Sequence, residues 1–314
     1  MKISAYIAEY RYLAVVAAIL VMGTTAPATY ARTPETPVAA AAGPVDSTVR
    51  TSPWNRDTLV GRSGKLWMKL LTTKAGDTTD ILARLFGDSA VRRPGVYAVR
   101  DSGLRTEFNF VNLVPFSAKK NGMLGTYRMG SWPAERRTVS DRYGNPAGFI
   151  EVTPDNQDTR ISEHFRLRDF LTKDQGQVWP KYLVLQEDLI DKLELLIGAL
   201  NKRGVNVTRM SVMSGFRTPQ YNDRGVGSGG RASNSRHQYG DAADVFVDND
   251  GDGGMDDLNG DGRVNTADAR WLAQVVEEVE QAHPDLTGGV GIYSATSAHG
   301  PFVHVDVRGV KARW

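Results

Sequence analysis

Two of the five histidines lie in segments where a metal ligand would be expected. His304 belongs to FVHVDV (302–307), whose strict alternation places it with Asp306 on one strand face, expected to point to a cleft or solvent, and the valines on the other. His237 precedes Asp244, which enters the apolar run AADVFV, where an ionised carboxylate needs a cation or several donors. His237, Asp244 and His304 therefore form a candidate site with two nitrogen ligands and one oxygen ligand. Three protein ligands with one open position are typical of catalytic zinc, although a chance H-x6-D spacing leaves incidental histidines as the alternative.

A second metal is predicted further along the chain, where Asp257 to Asp268 fits a twelve-residue calcium loop of the EF-hand type. Gly262 falls at position 6, where the loop turns sharply, and Val264 at position 8 is expected to point inward. Position 12 is Asp instead of Glu, as in dockerin-type loops, which this stretch resembles. A solvated turn rich in Asp and Gly is the alternative. The predicted ligands, of which Arg263 contributes its backbone carbonyl, are Asp257, Asn259, Asp261, Arg263, Asn265 and Asp268.

An upstream acidic cluster begins a second loop of the same kind. Asp248, Asp250 and Asp252 are followed by Gly253, but the twelfth position of that loop would be Asn259, which the first loop already uses. The cluster is therefore interpreted as an acidic approach to the first calcium ion, with a second calcium site as the alternative. Without a cation so many carboxylates would repel one another, so we expect calcium to order the segment and to support the neighbouring zinc ligand.

The composition is that of an ordinary globular protein, and it restricts the ligands of any metal. The chain has 314 residues, enough for two modest domains, with 41% hydrophobic and 24% charged residues. A formal net charge of +2 gives no field that would favour nucleic acid as a partner. Because the chain has no cysteine, it cannot form disulfides, and a metal site must be built from His, Asp and Glu.

The N-terminus has the features of an export signal. Lys2 and Arg11 flank the start of the chain, and the apolar run at 13–22 is too short for a membrane span of about 20 residues. Small residues follow this run, so we predict a signal peptide over 1–31, with an uncleaved anchor as the alternative. An Ala/Pro-rich linker over 32–55 comes next. The mature protein is expected to be periplasmic or extracellular, without a stable membrane span.

The remainder of the chain is predicted to form two domains, with an α+β class for the second. Residues 56–150 contain short aromatic and β-branched runs separated by turns, which predict a small β-rich accessory domain with one short helix at 77–87. Residues 151–314 mix helices and strands without a β-α-β repeat, and they carry the acidic segment as an insertion at 248–268. The elements predicted in this second domain are helices at 185–203 and 267–282, strands at 207–217, 242–247, 288–293 and 302–307, and a glycine-rich cleft loop at 224–233.

Several segments of residues 154–314 resemble the D-alanyl-D-alanine zinc metallopeptidases, which include D,D-carboxypeptidases, D,D-dipeptidases and murein endopeptidases. The similar segments arrive in the family's order and include ISEHFRLRDFL (161–171), SGFRTPQYN (214–222), SRHQYGDAADV (235–245) and FVHVDVRG (302–309). The family's fold is an α+β sheet with a shallow cleft, shared with the hedgehog signalling domain. The resemblance implies this fold, a bound zinc ion and hydrolysis of peptidoglycan peptides that contain D-amino acids.

The resemblance also assigns roles to four residues. His237, Asp244 and His304 match the family's zinc ligands. Arg217, in SGFR, matches the arginine that contacts the substrate and the developing oxyanion, a role for which a guanidinium is suited. In this interpretation a zinc ion polarises the scissile carbonyl and lowers the pKa of its bound water to about 7.

At the general base the chain departs from much of the family. Many relatives carry Glu or Asp three residues before the second histidine ligand, whereas this chain has Pro301, which cannot transfer a proton. His299 matches a catalytic histidine of some carboxypeptidase members, and Asp306 matches the HxD ending of the endopeptidase-like members. Either could act as the base, and Asp306 could instead orient a ligand imidazole.

Two other classes of function stay open at this point. The missing acid at Pro301 would fit a zinc-containing wall-binding module without turnover, and the calcium loop would fit a calcium-stabilised structural wall protein. The sequence does not separate carboxypeptidase from endopeptidase activity, because the difference depends on whether the cleft is closed at one end. His164 and His283 are expected to be structural, and the oligomeric state is left open.

Overall fold

The computed structural model describes residues 59–71, 83, 85–100, 107–227 and 230–314. All of them belong to one compact unit, Ala39–Trp314. The predicted signal peptide and linker lie outside the described residues, as does most of the helix predicted at 77–87. The described part of the chain is mixed α+β, as predicted, with small sheets, few helices and no barrel among its elements.

Short strands dominate the first part of the described chain. Its elements are β1 (Met68–Leu71), α1 (Asp88–Arg92), β2 (Gly95–Arg100), β3 (Glu107–Asn112), β4 (Val114–Pro115), β5 (Met123–Leu124), β6 (Tyr127–Arg128) and β7 (Gly148–Val152). The first three strands form a sheet in the order β1-β3-β2, in which β1 runs parallel and β2 antiparallel to β3. β5 and β6 form a separate antiparallel pair.

The second part contains the longer helices and the largest sheet. Its elements are β8 (Lys181–Leu183), α2 (Glu187–Lys202), β9 (Met210–Ser214), α3 (Pro219–Asp223), β10 (Ala242–Val247), α4 (Thr266–Ala282), β11 (Gly289–Tyr293), β12 (Phe302–Asp306) and β13 (Ala312–Arg313). Five strands form the sheet β13-β11-β12-β10-β9. The helices and strands predicted in this region are confirmed, with ends that differ by a few residues.

Of the two long helices, one packs on this sheet and the other packs on the first helix. α4 contacts β11 and β12, and α2 contacts α4. In α2 the buried leucines and isoleucines recur at helical spacing, which gives one continuous apolar face. None of the helices in the described part of the chain has the length and apolar composition that a membrane span requires.

A buried lysine connects the two long helices to the end of β12. Lys192 in α2 donates from Nζ to Glu280 in α4 at 2.6 Å, and to the carbonyl oxygens of Leu286 and Asp306 at 2.9 and 2.8 Å. Burial lowers the pKa of Lys192, and the paired Glu280 opposes that effect. Three partners thus satisfy the ammonium group inside the core, and they fix the end of β12 relative to both helices.

Residues on both sides of position 150 contribute to one hydrophobic core. β7 pairs with β8 in an antiparallel ladder, and the fully buried Trp132 donates from Nε1 to the carbonyl oxygen of Gln238 at 2.9 Å. Gln238 belongs to the same turn as His237. The segment predicted as an accessory domain therefore contacts the turn that carries the candidate ligand His237. A domain boundary near residue 150 stays a prediction.

Gly240 ends the turn that carries His237, and its backbone leaves no room for a side chain. It adopts a φ of 68°, and an added Cβ would lie 2.6 Å from the backbone nitrogen of Leu185. We expect Gly240→Ala to lower the free energy of unfolding by about 2–4 kcal/mol, because strain and a backbone clash combine. Urea denaturation measures this change.

Gly198, inside α2, provides the matched control. Apart from its chain neighbours and the backbone of its own helix, no atom lies within 4 Å of a Cβ added there. Gly198→Ala should therefore raise the free energy of unfolding by about 0.5–1 kcal/mol, since alanine loses less conformational entropy in a helix. A Gly240→Ala protein as stable as its parent would contradict the close approach of the turn to Leu185.

Candidate metal centre

Three elements bring the predicted zinc ligands together. His237 lies in the 3-10 turn Arg236–Tyr239, Asp244 in β10 and His304 in the neighbouring β12. Asp244 is directly opposite His304 in the antiparallel ladder. His237 Nε2 lies 3.2 Å from Asp244 Oδ1 and 3.1 Å from His304 Nδ1, and His304 Nδ1 lies 3.0 Å from the same oxygen. Three buried donor atoms therefore converge on one point.

The far side of each imidazole is held by an acceptor. His237 Nδ1 lies 2.7 Å from the carbonyl oxygen of Gly215, and His304 Nε2 lies 3.1 Å from Asp306 Oδ2. Because a carbonyl or carboxylate oxygen only accepts, each of these nitrogens is the position of the single proton when its ring is neutral. In that neutral form the lone pairs of His237 Nε2 and His304 Nδ1 face Asp244 Oδ1, an arrangement that a bound cation would stabilise.

The spacing of the three atoms fits a tetrahedral zinc ion. With zinc–nitrogen bonds of about 2.0–2.1 Å, two ligand atoms of a tetrahedral site lie about 3.3 Å apart. The corresponding separations here are 3.0 to 3.2 Å. Two imidazoles and one carboxylate form a donor set that zinc accepts, and they leave one coordination position for another ligand.

Burial and close packing shift the pKa values of these groups in different directions. Burial lowers the pKa of His237. Burial alone would also lower the pKa of His304, but its hydrogen bonds to Asp244 and Asp306 raise it. Burial would raise the pKa of Asp244, and the adjacent histidines instead hold it well below the usual range. Asp244 is therefore ionised at neutral pH and supplies the negative charge that a divalent cation needs.

Asp306 is buried behind His304 and does not face solvent, in contrast to the expectation for its strand face. Its Oδ1 accepts a hydrogen bond from the N–H of Gly289 at 2.7 Å, and its carboxylate is paired with the guanidinium of Arg308. Burial would raise the pKa of Asp306, but His304 and Arg308 hold it far below the usual range. Asp306 is not among the described residues that line the neighbouring cavity, so its position suits orienting the His304 imidazole.

Arg217 lies beside Asp244 at the edge of the ligand cluster. Its Nη2 donates to Asp244 Oδ2 at 2.5 Å, its Nε donates to Ser214 Oγ at 2.8 Å, and its backbone N–H donates to the carbonyl of His237 at 3.0 Å. Burial lowers the pKa of Arg217, and the charge of Asp244 opposes that effect. A guanidinium stays charged in such a setting, so Arg217 places a fixed positive charge next to the ligands.

A cavity of about 870 Å³ opens beside the candidate ligands. Aromatic rings form part of its wall: Tyr293 stacks on Phe302 with centroids 4.5 Å apart, and the Trp314 ring lies 5.2 Å from the His304 ring. Trp314 occupies the space that Gly291 leaves open. The volume is within the range of small-ligand sites, and it suits a short peptide segment.

His299 lines this cavity, whereas the other predicted proton-transfer residue, Asp306, is buried away from it. His299 lies on the loop between β11 and β12, where its Nδ1 is 2.8 Å from the carbonyl oxygen of Gly300. Its ring meets Phe302 edge-on, with centroids 5.0 Å apart. His299 is therefore the predicted proton-transfer group that a molecule in the cavity can reach.

The predicted calcium loop, 257–268, folds compactly, with carboxylates that accept hydrogen bonds from its own backbone. Asp257 accepts from the N–H of Gly262 at 2.7 Å, and Gly262 has a φ of 79°, which provides the sharp turn. Asp268, in the first turn of α4, accepts from the N–H of Asn265 at 2.8 Å. Among the described residues Asp257, Asp261 and Asp268 do not form a group of three carboxylates with oxygens within 4.8 Å of one another, so calcium binding by this loop stays a prediction.

The prediction that Val264 points inward is wrong. Its side chain is 52% exposed, whereas Leu258 and Met255 are buried in the main core. These two earlier residues anchor the acidic segment, because the chain leaves the core after Leu258 and returns to it only in α4.

In the upstream cluster Asp256, not Asp252, completes a group of three carboxylates. Oxygens of Asp248, Asp250 and Asp256 lie within 4.8 Å of one another, whereas Asp252 accepts a hydrogen bond from the N–H of Gly254 at 2.7 Å. Sequence reasoning missed Asp256. Its signal is that it stands at position 9 of a loop starting at Asp248, where calcium loops often carry a ligand.

A third group joins His164 to two glutamates, but its members are already paired. His164 Nδ1 lies 2.7 Å from Glu194 Oε2, and its backbone N–H donates to the other oxygen at 2.8 Å. Glu163 is paired with Lys65 at 3.0 Å. These contacts fit the structural role expected for His164, and His283 caps the end of α4.

Compared with known proteins, the chain matches no protein-family model and no curated protein sequence. The function proposed for this site therefore depends on the positions and chemistry of its residues, together with the motif resemblance described above.

Proposed function

We propose that the protein is an exported zinc metallopeptidase that hydrolyses peptidoglycan stem or cross-link peptides at bonds involving a D-amino acid. The observation that carries the proposal is the convergence of His237 Nε2, Asp244 Oδ1 and His304 Nδ1 within 3.2 Å beside an open cavity. The substrate class and the hedgehog/D,D-peptidase-like fold follow from the motif resemblance. The mixed sheet order and the flanking helices are compatible with that fold.

The candidate ligands are positioned to bind a metal with little rearrangement. His237, Asp244 and His304 would hold a zinc ion, which supplies a Lewis acid and activates water at neutral pH. The acceptors at Gly215 and Asp306 keep the proton on the far nitrogen of each imidazole, so the near nitrogens are free to bind. Such partners fix ring orientation and limit the adjustment needed when metal binds.

Arg217 binds the charge that develops during hydrolysis. Three hydrogen bonds from its side chain and backbone hold it next to Asp244, on the cavity wall. A guanidinium fixed there donates to the carbonyl oxygen of a bound peptide, and it donates more strongly as that oxygen becomes negative.

His299 is the group proposed to move protons, and Asp306 is proposed as a positioning residue. His299 lines the cavity, whereas both oxygens of Asp306 already accept hydrogen bonds from protein donors. A neutral imidazole accepts a proton from water and a protonated one donates it to the departing amine, which matches the two proton transfers of peptide hydrolysis.

The proposal is tested by incubating the purified protein with muropeptides after EDTA treatment and reloading with zinc. Mass spectrometry of the products identifies the bond: loss of one terminal residue indicates a carboxypeptidase, and separation of cross-linked chains indicates an endopeptidase. Zinc binding without cleavage of any peptide would favour a wall-binding module. Calcium binding without zinc binding would favour a structural wall protein.

The acidic segment at 248–268 is proposed to bind structural calcium. The sharp turn at Gly262, which fits position 6 of a calcium loop, and the carboxylate group of Asp248, Asp250 and Asp256 support this role. The segment leaves β10 only a few residues after Asp244, so ordering it restrains the end of the strand that carries a zinc ligand.

Asp261→Ala is expected to weaken calcium binding without loss of zinc. At calcium concentrations 100-fold above Kd, we expect the parent to gain about 5 °C or more in Tm, and the variant to lose most of that gain. Differential scanning calorimetry with and without calcium measures this, with Asp155→Ala, at an exposed aspartate, as control. Equal loss of zinc and calcium in Asp261→Ala would contradict separate sites.

A further inference from the structure

The cavity beside the candidate ligands carries an excess of positive charge. Five cationic side chains line it, whereas Asp244 carries the only side-chain carboxylate among the described residues that do so. A surface of this kind favours anionic molecules, and it does so more strongly when Asp244 is occupied by a metal. The cationic residues are Lys173, Arg217, Arg231, Arg236 and Arg308.

Three of these cations form ion pairs with carboxylates of the protein. Arg236 donates from Nε to the buried Asp241 at 2.9 Å, Arg308 is paired with Asp306, and Arg217 is paired with Asp244. Arg231 and the exposed Lys173 have no ion pair with a carboxylate in the described part of the chain, and of these two Arg231 is the less exposed.

Arg231 is nevertheless held in place. Its guanidinium carbon lies 4.3 Å from the centroid of the Tyr221 ring, and its Nη1 donates to the carbonyl oxygen of Tyr221 at 2.6 Å. The side chain crosses Gly225 so closely that a Cβ added there would lie 2.6 Å from Nε. A guanidinium fixed by stacking and by one hydrogen bond retains further N–H donors for a ligand, with less entropy left to lose on binding.

Arg217 and Arg231 line the same cavity. Two guanidiniums on one cavity wall repel each other, and an anion between them or beside them removes that repulsion.

We propose that Arg231 binds a free carboxylate of the peptide substrate, which leaves Arg217 for the scissile carbonyl, so that the protein selects acidic peptides. The proposal rests on the peptidase function proposed above. An arginine fork matches the two oxygens of a carboxylate, and both groups are charged, which makes the pair strong in a partly enclosed site. The carboxylate could belong to the C-terminus of the peptide or to a side chain flanking the bond.

Three peptides of equal length, each with a D-alanyl-D-alanine bond, distinguish the two sources. The first has a free C-terminal carboxylate and an uncharged neighbouring side chain. The second has a C-terminal amide and a carboxylate on that side chain, and the third is uncharged at both positions. For the zinc-loaded parent protein we expect kcat/KM for one acidic peptide to exceed that for the third by about 10- to 100-fold.

Arg231→Gln should reduce this preference to less than about 3-fold, because kcat/KM falls more for the acidic peptide than for the uncharged one. Arg231→Lys keeps the charge without the fork and should retain an intermediate preference. Arg224→Ala is the matched control, since Arg224 is an exposed arginine of the same loop that pairs with Asp174 at 3.6 Å and does not line the cavity. Zinc content and Tm are measured for each protein, and if the Gln variant does not fold, the Lys variant makes the same comparison.

Equal kcat/KM for the three peptides in the parent protein, or equal losses on all three peptides in Arg231→Gln, would overturn the proposal. Calorimetric titration of the same peptides separates this failure from failure of the peptidase function. If no peptide is cleaved but the acidic peptide binds at least about 10-fold more tightly than the uncharged one, and Arg231→Gln removes the difference, carboxylate recognition stands without peptidase activity. If neither cleavage nor binding distinguishes the peptides, Arg231 has no such role.

Discussion

His304→Ala is expected to abolish hydrolysis and to weaken zinc binding by more than about 100-fold, because loss of a partner behind a ligand already costs about 10- to 100-fold. Only His237 and Asp244 would remain, and two ligands do not make a stable zinc site. The ring also contacts both carboxylates of the cluster, Asp244 and Asp306, at 3.0 and 3.1 Å. Metal analysis after dialysis, together with a peptide assay, measures both effects.

His283→Ala is the control for this substitution. His283 stands at the end of α4 and belongs to neither the ligand cluster nor the cavity lining among the described residues, so the variant should keep its zinc and its activity. Calcium binding should be unchanged in both proteins, since the acidic segment does not use either ring. Stoichiometric zinc in His304→Ala would show that the metal is held elsewhere and would remove the basis of the proposed site.

Arg217→Ala is expected to lower kcat by about 100- to 1000-fold, the range found when a donor to a developing oxyanion is removed. KM should change less, because the interaction strengthens only as negative charge develops. Arg217→Lys should recover part of the loss, since it keeps the charge without the planar fork. Steady-state kinetics of the zinc-loaded proteins on one peptide substrate measures these differences.

Zinc content must be measured beside these rates, because Arg217 also donates to Asp244 at 2.5 Å. Arg168→Ala is a suitable control, as Arg168 is an exposed arginine paired with Asp158. A variant that keeps both zinc and the parental kcat would contradict a role for Arg217 in hydrolysis. If the variant loses zinc, the role of Arg217 is instead to hold the zinc ligand Asp244 in position.

The elements that carry the site were predictable from local sequence. The apolar spacing of α2 and α4 and the alternation in FVHVDV are local patterns, and local patterns determine which residues are helical or extended. The same alternation places Asp244 and His304 within reach of each other once their strands are neighbours. Which strands become neighbours is a long-range property. Local patterns do not determine it, and its prediction depended on the motif resemblance.

The features that the sequence did not reveal depend on how loops pack. Asp256 joins Asp248 and Asp250 because the chain turns back after Gly253, whereas the prediction used only positions 1, 3 and 5 of the loop and therefore named Asp252. Val264 is exposed because the core contacts of the segment come from earlier residues. In the same way, only the folded loop places Arg231 on Tyr221 and into the cavity.

The direct pairing of Asp244 with His304 makes the metal content of the protein a measure of strand register. Side chains alternate between the two faces of a sheet, so a slip of one residue between β10 and β12 would turn one ligand to the opposite face. Both strands would persist, and the content of secondary structure would hardly change. Substitutions in the valines of either strand, which lie on the sheet face opposite the ligands, would then be detected as lost zinc before they were detected as lost structure.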